Sequence, residues 1–490
     1  MKKILTFVLL LCALCAQAQV ARPKLVVGLV VDQMRWDYLY YYYDLYGEGG
    51  LKRILREGYS CANTHINYTP TVTAIGHSAV YTGAVPSVSG IAGNYFYQNG
   101  KSVYCCQDSA VQSVGSKSHE GQMSPHRLRV STIGDELRLS NDYQSRVFGV
   151  ALKDRASILP AGHTANAAYW WDTSAGHFVS STFYMSELPQ WVQDFNKANH
   201  TKPGYNIKTS TEGVTMTFKM AEALLKNEKL GQGDVTDMLT VSISSTDAVG
   251  HQYSTRGKEN KAVWLQLDKD VTTFLETLDA AVGKGNYLLF LTADHGAAHN
   301  YNQLRAHKYP AGSWDYDQAT KDLNAYLKGK FALTMNPVLP EDNYQFTFDP
   351  KLWSTTSTNK ETIIDAAVEW LKQNPEYLYV VNNEKINQAS IPAPIKDRLV
   401  NGYCRGRSGE ISVVTRPQHF GGKFDPNYGG TSHGQPYVYD THIPCVYMGW
   451  NVPHGETTAE THITDIAATI CAMLHIQMPN GCYGTPTTFK

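Results

Sequence analysis

Five short apolar runs, at 25–31, 147–152, 238–243, 287–291 and 443–448, constrain this chain more than any other feature. They are rich in β-branched residues and do not alternate with polar ones, so strands built from them need cover on both faces. Between them lie stretches of helical periodicity at 211–226 and 261–282, the first opening on Ser and Thr residues suited to an N-cap. Apolar strands alternating with amphipathic helices predict an α/β fold, a large and mostly parallel sheet sandwiched by helices. Ligands bind such sheets beyond the carboxyl ends of the strands. Polar residues gather at those ends: Asp32, Lys153, Asp247 and Asp294 follow runs, and His433 precedes the last one.

At 490 residues the chain has room for two or three average domains, but no linker, repeat or low-complexity tract divides it. It reads as one domain, 19–490, behind an export signal at 1–18. Lys2 and Lys3, an apolar run from Ile4 to Leu14, and Ala16-Gln17-Ala18 form that signal, with cleavage expected after Ala18. The run is too short to span a membrane, and Leu11 and Leu14 are too bulky to precede a lipid-modified Cys12 or Cys15. A soluble periplasmic or secreted protein without a stable membrane anchor is the expectation. The segment 304–418 breaks the strand–helix rhythm, is rich in Tyr, Asn, Asp and Pro, and has one clear helix at 360–373. It reads as an insertion beside the sheet that shapes the mouth of a site. Basic residues number 43 and acidic ones 44, so nothing points to nucleic acid or an acidic membrane as partner. Past the signal, Cys61, Cys105, Cys106, Cys404, Cys445, Cys471 and Cys482 form an odd set without a C-x-x-C pair; Cys471 falls in an apolar helical pattern and reads as a plain core residue.

Asp247-x-x-x-His251 puts a carboxylate and an imidazole on one side of a helical turn. Asp294-His295 leaves a strand, Asp32 ends another, and His433 lies in a glycine-flanked loop, Gly430-Thr431-Ser432-His433-Gly434. Each has a plainer account alone: a helix cap, a strand-ending turn, a chance histidine. Together they offer three carboxylates and three imidazoles, enough ligands for two zinc ions. Thr73, in Thr71-Val72-Thr73-Ala74-Ile75-Gly76-His77, would sit at the start of a helix running through Tyr81. It could simply cap that helix, or the helix N-terminus could favour an alkoxide and an incoming phosphate there. Lys153 and Arg155, alternate residues leaving a strand end, could converge on one anion or form a solvated basic turn. The aromatic run 36–43 reads as a helix packing rings on the sheet.

In this order, Asp32, the Thr73 segment, Asn94 in Gly90-Ile91-Ala92-Gly93-Asn94, Lys153-Asp154-Arg155, Asp247-x-x-x-His251, Asp294-His295 and His433-Gly434 resemble the alkaline phosphatase superfamily. The likeness is greatest to the monomeric bacterial enzymes with a threonine nucleophile, relatives of the nucleotide pyrophosphatase/phosphodiesterases, and it covers the whole mature chain. It implies one zinc on Asp247, His251 and His433, and a second on Asp32, Asp294 and His295 with Thr73 bound to it. Asn94 would donate to a phosphate oxygen, and His77 would serve as a structural hydrogen-bonding group, not a ligand. In that family a Lys-x-Arg pair marks phosphate monoesterases. The expectation is a monomeric zinc-dependent alkaline phosphatase acting on small phosphate esters through a phosphothreonine intermediate. A phosphodiesterase on the same scaffold is the runner-up. A sulfatase would need a C/S-x-P-x-R segment, which is lacking, and a metal-stabilised binding protein with a dead site would not need every ligand kept.

Overall fold

Residues 21–489 are described by a computed structural model of the chain, so the export-signal segment lies outside the described residues. Ten strands form the main sheet: β1 (Leu25–Val31), β2 (Tyr59–Cys61), β3 (Ser113–Val114), β4 (Val147–Ala151), β5 (Ala167–Asp172), β6 (His177–Ser181), β7 (Asp237–Ile243), β8 (Tyr287–Thr292), β9 (Cys445–Gly449) and β10 (Gly455–Thr457). Their spatial order is β10-β2-β9-β8-β1-β7-β4-β5-β6-β3. The middle five, β8-β1-β7-β4-β5, are parallel throughout. Every residue of β1, β4, β7 and β8 is buried, as strands covered on both faces require.

The run at 443–448 contributes β9, which pairs antiparallel with β8, so it does not extend the parallel set. An apolar run carries burial but not direction, and only the chain path fixes the latter. Six helices matter for the site: α1 (Thr73–Thr82), α2 (Asp154–Ala161), α3 (Thr211–Asn227), α4 (Ser245–Tyr253), α5 (Lys258–Ala281) and α6 (Asp465–Leu474). α1 packs on α2 and α6 in one layer, while α3 and α5 pack together in another. The apolar stripe of α5, Val263, Leu267, Val271, Phe274, Leu275 and Leu278, is wholly buried, the i, i+4 rhythm of a helix lying on a core. Among the described residues, no helix is long and apolar enough to cross a membrane.

The segment between β8 and β9 has its own apolar cluster, centred on Trp314, Leu323, Phe346, Ile363 and Val413. There, helices Tyr316–Phe331 and Lys360–Leu371 flank a small antiparallel sheet of Gln345–Phe346, Ile411–Thr415 and Tyr377–Asn382. The aromatic run folds into one helical turn, Tyr38–Tyr41, and a 3₁₀ turn; Tyr38 and Tyr42 are buried, and Tyr40, Tyr41 and Tyr43 face solvent. All seven described cysteines are free thiols, and Cys471 is buried in α6.

Candidate active site

The carboxyl ends of the central parallel strands carry the chemistry. Asp32 follows β1, Asp294 and His295 follow β8, Lys153 follows β4, and Asp247 and His251 lie on α4 just past β7. Side chains over 180 residues apart in sequence therefore meet because β1 is flanked by β7 and β8. Asp32, Asp294 and His295 are fully buried, and Asp247 is 3% exposed. Burying that many ionisable groups is costly unless something neutralises them.

In one cluster, Asp32 Oδ1 and Asp294 Oδ2 lie 3.5 and 3.3 Å from His295 Nε2. Asp32 Oδ1 accepts no hydrogen bond, an orphaned buried acceptor aimed at its neighbours. In the adjoining cluster, His251 Nε2 and His433 Nε2 lie 3.1 and 3.7 Å from Asp247 Oδ1. Ligand atoms of Asp247, His295 and His433 also fall within 4.8 Å of one another, so the clusters share a border. The His295 and His433 rings stack there with centroids 3.6 Å apart.

Each imidazole is fixed from behind. Nδ1 of His251 faces the Thr431 carbonyl at 2.9 Å, Nδ1 of His433 the Thr71 carbonyl at 2.7 Å, and Nδ1 of His295 the Gly296 carbonyl at 2.9 Å. A carbonyl accepts only, so each Nδ1 must carry a proton; in His295 and His433 that leaves Nε2 to present a lone pair, whereas for His251 burial works against the charged form but Asp247, 3.1 Å from its Nε2, outweighs it and raises the imidazole. Burial holds His433 well below its ordinary pKa, with His295 and His251 adding to the effect, and burial also lowers His295. Neutral imidazoles are the form that binds metal. Burial works against ionising Asp247, but His251 and Lys153 outweigh it and hold its carboxyl well below the usual range. Asp32 goes the other way: burial, then the charges of Asp247 and Asp294, push it well up. A divalent cation would relieve that repulsion. The donor set and the orphaned oxygen therefore fit two metal ions.

Thr73 is the first residue of α1, whose N-cap is Val72, so the hydroxyl is not spent on capping. Its Oγ1 lies 3.4 Å from His295 Nε2, at a helix start where backbone N–H groups face outward. Gly76 lets α1 come this close, since a Cβ there would overlap the Asp294 carbonyl. Asn94 Oδ1 accepts from the Ala74 backbone N–H at 2.9 Å, which turns the amide so that Nδ2 is left to donate. His77 Nδ1 faces the Thr73 carbonyl at 2.9 Å and lies 3.2 Å from Asp294 Oδ2, and its Nε2 meets Ser242 Oγ at 2.7 Å.

Lys153 and Arg155 are placed by a strand-to-helix turn and not by strand alternation: Lys153 is the N-cap of α2 and Arg155 is in its first turn. Their head groups take different partners. The Lys153 ammonium donates to Asp32 Oδ2 and Asp247 Oδ2, each at 2.6 Å, tying one carboxylate of each cluster. Arg155 donates to Tyr104 Oη at 3.1 Å and lines a cavity of about 840 Å³ together with Asn94, His251 and His433.

A family model described as type I phosphodiesterase / nucleotide pyrophosphatase matches residues 26–418. The chain belongs to that family. Within it, "Alkaline phosphatase PafA" of Elizabethkingia meningoseptica is 43% identical over 521 residues, covering 96% of this chain and 94% of the relative. "Calcium-transporting ATPase" of Myroides odoratus is 43% identical, covering 97% and 96%. "Alkaline phosphatase PhoV" of Synechococcus elongatus is 41% identical, covering 96% and 93%. The crystal structure of wild-type PafA superposes with a TM-score of 0.91 at 43% identity, covering 96% of this chain and 99% of that one.

Two residues at this family member's site gave no sequence signal. Gln33, in a left-handed turn at φ 64°, donates its backbone N–H to Asp294 Oδ1 at 3.1 Å and its Nε2 to Asp247 Oδ1 at 2.6 Å. It bridges the two clusters from behind as Lys153 does from the other side. Gly250 makes room for it, because a Cβ there would run into Gln33 Oε1. The second is Asp440, fully buried, whose Oδ2 accepts from the backbone N–H groups of Gly434 and Gln435 at 3.0 and 2.8 Å and so fixes the loop that carries His433.

Proposed function

We propose that the protein is a zinc-dependent alkaline phosphatase hydrolysing phosphate monoesters, exported to the periplasm or beyond and active as a monomer. One observation carries the reading: an uncommitted Thr73 hydroxyl at a helix N-terminus, 3.4 Å from His295, beside two buried Asp/His clusters. Two zinc ions, on Asp247, His251 and His433 and on Asp32, Asp294 and His295, would activate the threonine hydroxyl and stabilise the leaving oxygen.

The chain's own residues do the rest. Thr73 Oγ1 attacks phosphorus in line with the ester oxygen; the new P–O bond forms as the bond to the alcohol breaks, leaving phosphothreonine. The departing alkoxide takes a proton, and water then attacks phosphorus to release phosphate and restore the hydroxyl. Through both steps the Thr73 backbone N–H at the start of α1 and Asn94 Nδ2, whose Oδ1 holds the Ala74 N–H, donate to non-bridging oxygens. Arg155, half-buried with Tyr104 beside it, stays charged and supplies donors that match a monoester's oxygens. Lys153 keeps Asp32 and Asp247 apart and aligned.

Turnover of p-nitrophenyl phosphate and bis-p-nitrophenyl phosphate, before and after chelation and zinc addition, tests the proposal. The expected result is a strong preference for the monoester, loss of turnover on chelation, recovery with zinc, and about two zinc ions per chain by elemental analysis. A metal-free active enzyme, or a preference for the diester, would overturn it.

A further inference from the structure

The cavity above Thr73 is larger than a phosphoryl group needs, and at about 840 Å³ it has room for an alcohol as well. Arg155 and Lys208 supply cations on one side, beside the Asn94 amide and with Asp154 and Glu120 next to Lys208. Another wall comes from the insertion: Trp314, Tyr316, Glu341, Asp342 and Tyr344. Two anchors fix this wall relative to the chemistry. Asn343 Nδ2 donates to the carbonyl of Tyr95, the residue after Asn94, at 2.7 Å. Tyr344 Oη donates to the carbonyl of His433 at 3.3 Å. Glu341 and Asp342 are thus fastened between a phosphate-binding residue and a metal ligand, in a turn where Asn343 and Tyr344 both take φ 60°.

Their surroundings differ from those of a solvated acidic patch. Trp314 stacks on Tyr344 with centroids 5.5 Å apart and meets Tyr316 edge-on at 6.1 Å. Among the described residues neither carboxylate makes an ion pair with a Lys, Arg or His. Glu341 faces Asp342 on its own loop and Asp317 on the neighbouring helix, like charges all. Burial first, then that repulsion, pushes Glu341 to about 8, and burial pushes Asp342 to about 7. Glu341 Oε1 accepts the Gln345 backbone N–H at 3.1 Å, and both carboxyls ionise in alkaline solution against aromatic faces of the cavity, with no protein cation paired to them among the described residues. Aromatic faces and carboxylates together attract an organic ammonium group.

We propose that this wall is the leaving-group subsite and takes the ammonium end of an amino-alcohol phosphate monoester, a quaternary or protonated amine. The proposal rests on the phosphomonoesterase reading above. The Arg155 side then holds the phosphoryl group and the acidic aromatic wall holds the cation, so a zwitterionic ester spans the cavity with each charge met.

The test compares kcat/KM of the zinc-loaded enzyme for phosphocholine and its uncharged isostere, 3,3-dimethylbutyl phosphate, with p-nitrophenyl phosphate as the control ester. The parent should prefer phosphocholine by about tenfold or more, the scale of a desolvated cation–π contact with charge added. Glu341→Gln and Asp342→Asn, measured separately, should each pull that ratio toward one. A parent ratio near one, or an unchanged ratio in both active variants, overturns the proposal while leaving the phosphatase reading intact. Failure to turn over any of the three esters ends both.

Discussion

Replacing Lys153 by methionine separates what this side chain does for the fold from what it does for catalysis. Its ammonium donates to Asp32 Oδ2 and Asp247 Oδ2 at 2.6 Å each, with the lysine side chain 10% exposed and the carboxylates 0% and 4% exposed. Removing the cation leaves two buried carboxylates facing one another, and breaking a buried pair in this way costs about 3–5 kcal/mol. Unfolding entropy of ~2.1 cal/mol/K per residue makes about 1 kcal/mol/K for a chain of this length, so Tm should fall by about 3–5 °C. That loss belongs to the chelated protein. With divalent cations on the same carboxylates the charge is already met, and the drop should shrink to about a degree. Differential scanning calorimetry at one scan rate, in chelator and in excess zinc, measures both. Arg155→Met is the control: its guanidinium bonds Tyr104 and neither carboxylate, so its effect on Tm should not depend on the metal. Equal drops for Lys153→Met in the two buffers would refute the argument that Lys153 balances the metal carboxylates.

Thr73→Ala should fold and lose most turnover, whereas Thr73→Ser should keep substantial activity; acid-quenched substrate should label residue 73 of the parent, seen by peptide mass spectrometry. Arg155→Met should cut monoester kcat/KM by on the order of 10²–10³-fold and diester kcat/KM by less, read from the two nitrophenyl esters in parallel. Gln33→Ala should weaken zinc retention about 10–100-fold in a competitive chelator titration, because it removes the Nε2 donor that aims Asp247 while the backbone N–H to Asp294 survives. Gly250→Ala should do the same without touching either carboxylate, by evicting Gln33.

Most of the two Asp/His clusters could be read from the chain because each member ends an apolar run or sits at a spacing with a physical meaning. Asp247 and His251 are four apart on what is in fact a helix, and Asp294-His295 does leave a strand. Gln33 could not be read that way. Its contribution depends on a left-handed turn that brings a backbone N–H and a side-chain amide to two carboxylates more than 200 residues away. The Lys153–Arg155 pair was legible as two cations, but the alternation argument assumed a strand that continues, whereas a helix starts at Asp154. In the insertion, helix Tyr316–Phe331 went unseen because its buried positions include Thr320 and Asn324 beside Leu323 and Leu327, which blurs the apolar rhythm. Antiparallel β9 looks in sequence like its parallel neighbours, since burial on both faces erases the alternation that would mark it.

The chain path gives the insertion a second consequence. Asp294 and His295 are laid down before it and His433 after it, so one cluster lacks its last ligand until this whole excursion has folded and returned. Tyr344, from within the excursion, then presses on the His433 carbonyl. On the proposed ligand assignment, a nascent or nicked chain would carry most of the ligands yet hold no closed centre, and only a finished one would retain its ions. By mass action the same linkage runs backward, and bound zinc should shield the excursion from proteases that never approach the active site.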